Sequence, residues 1–257
     1  MKGFIFDLDG TLYRGNKVIE GAPETLSLIR NRGDRVVFLT NKPIVSREQY
    51  VEKLKKMGIM ANLNEIINSN LITVKYLKKH MTIKDKVLVI SEQPLLDELK
   101  ENYIAITDNP AEATYVILSW DREFTYKKLD NAFQAWRNGA RVLATNPDRT
   151  CPVEHGFVPD CGAIIGALEG ATGEAVELIM GKPSHLMAEE AKSVLNLDYS
   201  DCFMVGDRLE TDIKMANDIG FHSILVLTGS TSLADVELST NKPSYTLNSV
   251  KEIVSIK

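Results

Sequence analysis

The chain opens Gly3-Phe4-Ile5-Phe6 and runs straight into Asp7-Leu8-Asp9-Gly10-Thr11. An apolar run this short reads as a buried strand that delivers two carboxylates to its carboxyl end, with a glycine turn after it. That end is where open parallel α/β sheets bind ligands. The strand period of two points Asp7 and Asp9 the same way, with Leu8 opposite. Two carboxylates so related repel unless a positive charge lies between them, so the segment predicts a hard cation as well as a strand. Asp-Gly alone is an ordinary turn signal, and the weight of the reading falls on what recurs downstream.

What recurs is the alternation of short apolar runs with helical patterns. Residues 35–39 form a β-branched and apolar run, and 86–90, 115–119, 141–144, 177–180, 202–205 and 223–227 are further strand candidates. Helical patterns fill 47–57, 70–80, 94–102, 126–138, 162–169, 184–195 and 210–219. Segment 23–32 has proline at its start, Leu26 and Ile29 among its apolar residues and Gly33 just past its end, the asymmetry a helix wants. Strands alternating with helices predict an α/β fold with a doubly wound, mostly parallel sheet.

Composition excludes several classes. With 257 residues, the chain has room for one large domain or two modest ones. A net charge of −5 gives no electrostatic footprint for nucleic acid, although a local lysine can still serve a phosphate ligand. Cys151, Cys161 and Cys202 are odd in number and lack metal-ligand spacing, which fits packing residues in a reducing compartment. No apolar run approaches a membrane span and the first strand leaves no room for a signal peptide, so a cytoplasmic location and no membrane partner are expected. His80, His155, His185 and His222 have no mutual metal spacing, and none is promoted to a ligand.

Three later apolar runs end as the first does. Leu39 passes into Thr40-Asn41-Lys42, Met180 into Gly181-Lys182-Pro183, and Val205 into Gly206-Asp207-Arg208-Leu209-Glu210-Thr211-Asp212. Each lands on the same edge of a parallel sheet. Taken singly, Lys182 is a solvated lysine at a helix start and Asp207 or Asp212 an N-cap. Together, Asp, Asp, Thr, Lys and Asp suit phosphoryl transfer: a carboxylate nucleophile, a carboxylate for proton transfer, a hydroxyl and an ammonium for phosphate oxygens, and an acid for Mg²⁺.

In this order and spacing, Asp7-Leu8-Asp9-Gly10-Thr11, Thr40, Lys182 and Gly206-Asp207 with Thr211-Asp212 resemble the four motifs of the haloacid dehalogenase superfamily. The long gap between the second and third motifs is similar to that of its NagD-like branch. Gly21-Ala22-Pro23, Ala144-Thr145-Asn146-Pro147-Asp148, Gly181-Lys182-Pro183-Ser184 and Leu225-Val226-Leu227-Thr228-Gly229 support it. The resemblance covers essentially the whole chain. It implies a Rossmannoid core from residues 1–80 and 181–257, and an inserted α/β cap domain over 81–180 that excludes water and presents specificity loops.

The resemblance also assigns roles. Asp7 is the expected nucleophile, forming an aspartyl-phosphate, and Asp9 the expected acid and then base. Mg²⁺ is expected on the side chains of Asp7 and Asp207 and the backbone carbonyl of Asp9. Gly10, Thr40, the Asn41 amide and Lys182 are expected to bind the phosphate, and Asp212 to orient Lys182 or a metal-bound water. Many relatives carry asparagine where this chain has Lys42, which either meets a second anionic group or sits on the rim. The loop over 146–150, with Asn146, Asp148 and Arg149, is the candidate for cap specificity, or else an ordinary Asn-Pro turn. The implied partner is a small phosphorylated metabolite such as a sugar phosphate, with nucleotides or pyridoxal phosphate as alternatives; a homodimer through the cap is compatible with the branch. A phospho-accepting receiver module, the rival from a different class, is about half this length and lacks an acid at the Asp9 position. A carbon–halogen hydrolase lacks that acid too and needs no metal. Phosphomutases remain open, although they carry smaller caps placed soon after the first motif.

Overall fold

A computed structural model describes residues 1–153 and 156–255. In chain order its strands are β1 (Gly3–Asp7), β2 (Tyr13–Arg14), β3 (Lys17–Val18), β4 (Arg35–Thr40), β5 (Ile66–Asn68), β6 (Val87–Ile90), β7 (Tyr115–Leu118), β8 (Arg141–Ala144), β9 (Thr150–Val153), β10 (Gly156–Pro159), β11 (Leu178–Ile179), β12 (Cys202–Gly206), β13 (His222–Val226) and β14 (Tyr245–Leu247). The helices are α1 (Ala22–Asn31), α2 (Arg47–Lys56), α3 (Ser69–His80), α4 (Gln93–Glu101), α5 (Tyr126–Arg137), α6 (Cys161–Thr172), α7 (His185–Leu195), α8 (Lys214–Ile219) and α9 (Leu233–Leu238). The chain divides into two compact units. One is Met1–Thr40, Arg47–Ile67 and Lys182–Lys257; the other is Asn41–Ser46 and Asn68–Gly181.

The first unit is built on a six-stranded sheet in the order β14-β13-β12-β1-β4-β5. β1 pairs in parallel with β12 on one side and β4 on the other. Ile5, Phe6, Val37, Phe38, Leu39, Met204 and Val205 are all fully buried, which is why these strands read as unbroken apolar runs. Each such side chain stabilises the fold by about 1.5–3 kcal/mol relative to exposure. Register then sets the site: Asp7 lies opposite Leu39, and Phe6 opposite Val205. Thr40 on one neighbour and Asp207 on the other therefore follow within a residue or two of the level of Asp7. α1 starts with proline in its first turn and buries Ala22, Thr25, Leu26 and Ile29, the i, i+3, i+4, i+7 face that the sequence marks.

The second unit holds a four-stranded parallel sheet, β11-β8-β7-β6, and an antiparallel hairpin of β9 and β10. Leu88, Ile90, Val116, Leu118 and Ala144 of the sheet share one core with Ala132 and Ala135 of α5 and Ile164, Ile165 and Leu168 of α6. This unit begins earlier than residue 81. α3, expected with the core, groups with the second unit, where its Tyr76 hydroxyl accepts from Arg141 Nη2 at 3.1 Å and its Lys78 Nζ donates to Asn102 Oδ1 at 3.3 Å. The short segment Asn41–Ser46 also belongs here: the hydroxyl of Ser69 and the amide of Asn70, both on α3, donate to the Asn41 and Pro43 carbonyls.

The helix ends fall within a residue or two of their expected positions, except that α6 runs three residues past 169 to Thr172, and the last segment, 210–219, begins as a wide turn over Leu209–Ile213 before α8. Not anticipated were the hairpin of β2 and β3, the short strands β5 and β14, the hairpin of β9 and β10, and α9. Among the described residues, no helix is long and apolar enough to cross a membrane.

Candidate active site

Asp7, the last residue of β1, is buried at the carboxyl edge of the sheet. Its carboxylate pairs with the ammonium of Lys182, which is itself only 2% exposed. Lys182 Nζ also lies 2.7 Å from Asp212 Oδ1. A Gly-Lys-Pro lysine ordinarily points to water, so burial between two carboxylates decides against the surface reading. Ser184 caps α7 through its hydroxyl, accepting from the Leu186 amide, and so fixes the helix start just beyond Lys182.

Asp212 sits in the wide turn Leu209–Ile213 after β12. Wide turns of this kind concentrate at functional sites because the extra residue re-aims a side chain. Here the turn sends Asp212 back under the strand end, where Oδ2 accepts from the Asp207 and Arg208 amides at 3.2 and 3.1 Å. Gly206 makes room for it, since a Cβ at that position would overlap the Asp212 side chain. Asp212 therefore holds Lys182 and the backbone that carries Asp207.

Electrostatics mark the cluster. Burial pushes the Asp7 carboxyl well above its ordinary range against the pull of Lys182, and the charges of Asp212 and Asp207 push it further. Burial and Asp212 raise Asp207 to about 6, while the Ser230 amide resists the shift. Burial alone would lower Lys182, but Asp212 and Asp7 outweigh it and hold the ammonium charged. Three carboxylates against one ammonium leave two negative charges uncompensated.

That imbalance fits a divalent cation. Asp7, Asp207 and Asp212 each place a carboxylate oxygen within 4.8 Å of the others. Asp207 Oδ1 is buried without a hydrogen-bond partner, whereas its Oδ2 accepts from the Ser230 amide at 2.6 Å. An all-oxygen set of this kind suits Mg²⁺ over Zn²⁺. The side chain of Asp9 is not part of this carboxylate group.

Asp9 is half-buried, and its Oδ1 accepts from the Gly15 amide at 3.4 Å in the turn between β2 and β3. Gly10 takes φ +95°, which only glycine adopts readily, and its amide donates to the Tyr13 carbonyl at 2.7 Å. Thr40 closes β4 and is buried.

The remaining candidates lie in the second unit. The side-chain Nδ2 of Asn41 donates to Asp148 Oδ2 at 2.9 Å, and Asn146 Nδ2 donates to the same oxygen at 3.1 Å and to Asp160 Oδ1 at 3.1 Å. Asn146 is fully buried and holds the loop through Asp148 and Asp160. Asp148 likewise anchors Asn41. Arg149 alone of the three is exposed, and its side chain makes no hydrogen bond or ion pair among the described residues. Lys42 Nζ sits 5.5 Å from the centre of the Trp120 ring. Asp160 caps α6 at 2.5 Å from the Cys161 amide, and burial raises its carboxyl to about 6.

A family model described as haloacid dehalogenase-like hydrolase matches residues 4–105, and a HAD-hydrolase-like model matches 179–253. The sugar-phosphatase AraL of Bacillus subtilis strain 168 is 41% identical over 254 residues, covering 99% of this chain and 92% of that protein. The chain belongs to the haloacid dehalogenase-like hydrolases. Two solved structures are similar to it over nearly its whole length. The p-nitrophenyl phosphatase from Archaeoglobus fulgidus superposes with a TM-score of 0.93 at 32% identity, covering 100% of this chain and 99% of that one. A glycerol phosphate phosphatase of Mycobacterium tuberculosis, solved in complex with magnesium, superposes with a TM-score of 0.90 at 28% identity, covering 98% of this chain and 76% of that one. Within its family the hydrolase is a NagD-like phosphatase, with a Rossmannoid core and a cap domain.

Sequence reasoning attached no role to three features of this hydrolase: Asp160, the Trp120 ring under Lys42, and the turn after β13. An aspartate just ahead of Cys161-Gly162 was a legible helix cap. The turn after β13 is visible in the sequence only as Leu225-Val226-Leu227-Thr228-Gly229, which supports the family resemblance and marks no contact with Asp207.

Proposed function

We propose that this phosphatase is a Mg²⁺-dependent phosphomonoester hydrolase acting on sugar phosphates and similar small esters through an aspartyl-phosphate on Asp7. The observation that carries the reading is the buried cluster of Asp7, Lys182, Asp212 and Asp207, two charges short of neutrality, with one Asp207 oxygen left without a partner. The names of the sugar-phosphatase and nitrophenyl phosphatase relatives support the substrate class.

An Asp7 oxygen attacks phosphorus while the ester oxygen leaves, taking a proton from the Asp9 carboxyl. Water then attacks the same phosphorus, Asp9 takes back a proton, and Asp7 and phosphate are released. Lys182, kept protonated by its two carboxylates, steers the Asp7 carboxylate and meets charge on the phosphoryl oxygens. The Thr40 hydroxyl and the amide of Asn41, bonded directly after it, are assigned to phosphate oxygens, and the turn at Gly10 gives its backbone close access. Mg²⁺, held by Asp7, Asp207 and the Asp9 carbonyl, would neutralise the phosphate enough for a carboxylate to approach it. Substrate discrimination is assigned to the second unit, with Arg149 as the candidate contact; the partner is a small phosphorylated metabolite.

The test is turnover of a panel of sugar phosphates, p-nitrophenyl phosphate and nucleotides by the wild type and by Asp7→Asn. Asp7→Asn should lose on the order of 10³-fold or more in kcat with its thermal unfolding unchanged. A correctly folded Asp7→Asn with near-normal turnover overturns the mechanism.

A further inference from the structure

The segment Thr228-Gly229-Ser230 leaves the carboxyl end of β13 and turns across the end of β12. Each of its residues touches the machinery on a different side. The Ser230 amide donates to Asp207 Oδ2 at 2.6 Å. The Thr228 hydroxyl donates to the Gly10 carbonyl at 2.7 Å. Gly229 lies so close to Asp207 that a Cβ there would overlap its carboxylate, although its backbone is outside the left-handed region. Glycine is needed at that position for close approach and not for its conformational freedom. On the opposite face, a Cβ on Gly10 would come within 2.6 Å of Asp207 Oδ2. The carboxylate is thus held between two glycine backbones, and one of its oxygens is tied down. The other, Oδ1, is buried and unpartnered.

We propose that Thr228, Gly229 and Ser230 are positioning residues that clamp the Asp207 carboxylate and the Asp9-Gly10 backbone into one fixed geometry for a divalent cation. The inference rests on the Mg²⁺ reading above and adds to it the part of the chain that sets the site. A carboxylate free to rotate presents either oxygen. One whose Oδ2 is engaged by an amide presents Oδ1 only, at no further entropic cost when the cation arrives. The Thr228 bond does the same for the backbone, because it fixes the carbonyl next to that of Asp9. Arg14 on β2 donates to the Gly229 carbonyl at 3.3 Å, so the β2 and β3 hairpin is tied to the same turn. Partners of metal ligands typically carry about 10–100-fold in metal affinity.

Calorimetric titration of Mg²⁺ into the purified wild type, Thr228→Val, Thr228→Ser and Gly229→Ala tests this without relying on activity. Thr228→Val keeps the shape and removes the donor, so its Mg²⁺ affinity should fall by about 10-fold. Thr228→Ser should restore it to within about twofold, and Gly229→Ala should lose at least as much as Thr228→Val. At saturating Mg²⁺, KM for p-nitrophenyl phosphate should be unchanged in Thr228→Val while the Mg²⁺ concentration for half-activity rises. Metal-free thermal unfolding separates a misfolded Gly229→Ala, in which case Thr228→Val decides. A Thr228→Val that binds Mg²⁺ as the wild type does overturns the clamp alone. A wild type that takes up no Mg²⁺ overturns the metal reading and the clamp with it.

Discussion

Replacing Lys182 by methionine removes the one ammonium among three buried carboxylates and keeps most of the side-chain volume. Breaking a buried ion pair from one side costs about 3–5 kcal/mol, because the abandoned charge stays buried. Lys182 serves two partners, which pushes the figure up; the protein can also take up a proton on Asp7 or Asp207, which caps it. Both carboxyls are already raised above the unfolded-state range, chiefly by burial. For such groups the native state binds more protons than the unfolded state, so stability is fullest below the unfolded pKa and falls as pH rises through the folded one. The metal-free variant should therefore lose about 3 kcal/mol at pH near 7.5 and distinctly less at pH near 5.5. Urea unfolding in EDTA at both pH values measures this. Turnover should fall by about 10²–10³-fold, the cost of one charge-assisted contact to a developing phosphoryl charge. Lys182→Met with wild-type unfolding at both pH values, or with kcat within about threefold of the wild type, would refute the reasoning.

Chelation by EDTA should abolish turnover, and Mg²⁺ should restore it better than Ca²⁺, whose looser coordination relaxes the alignment of Asp7 and phosphate; activity indifferent to EDTA contradicts the site. Asp160 is raised to about 6 by burial, so its charge destabilises the fold as pH rises from about 4 to 6. Asp160→Asn, which keeps an oxygen for the Cys161 amide, should add about 1–2 kcal/mol at neutral pH and flatten that dependence in denaturant unfolding. Arg149→Ala should change relative kcat/KM among sugar phosphates without changing the Mg²⁺ requirement. Asp148→Ala frees Asn41 and should raise KM for every ester alike. A preference for one nucleotide by more than about 10³-fold, roughly 4 kcal/mol, would contradict the small-ester reading.

The alternation of strands and helices was legible because the sheet is buried on both faces: β1, β4 and β12 read as apolar runs, and a polar residue ends each at the same edge. Asp7, Thr40 and Asp207 end or follow β1, β4 and β12, whereas the run before Lys182 was expected in the same sheet and instead forms β11 in the second unit's sheet; Lys182 reaches Asp7 from the segment that follows β11. Less legible was everything whose signal is weaker than burial. The two-residue strands β2 and β3 carry no alternation to detect, and β9 keeps only Cys151 buried. The structure groups α3 with the second unit, ahead of the start expected at residue 81. An amphipathic helix announces that it has a buried face, and says nothing about which core that face meets; here Tyr76 on α3 meets Arg141 of the second unit.

The same distinction separates the residues that sequence reasoning found from those it left without a role. Asp7, Asp9, Lys182 and Asp207 carry charge, and charge near an apolar strand end is conspicuous. Thr228, Gly229 and Ser230 act through a hydroxyl, the absence of a side chain and a backbone amide. Two of those three contributions cannot be read from residue type, since any residue at position 230 other than proline supplies the amide and glycine is common in turns. Their effect depends on where β13 ends relative to Asp207, and that follows from the register of three adjacent strands. A sequence thus exposes the groups that do chemistry more readily than the backbone that aims them. Substitutions that leave every charged residue in place can consequently disarm the site, and the Thr228 and Gly229 variants are the direct means of measuring by how much.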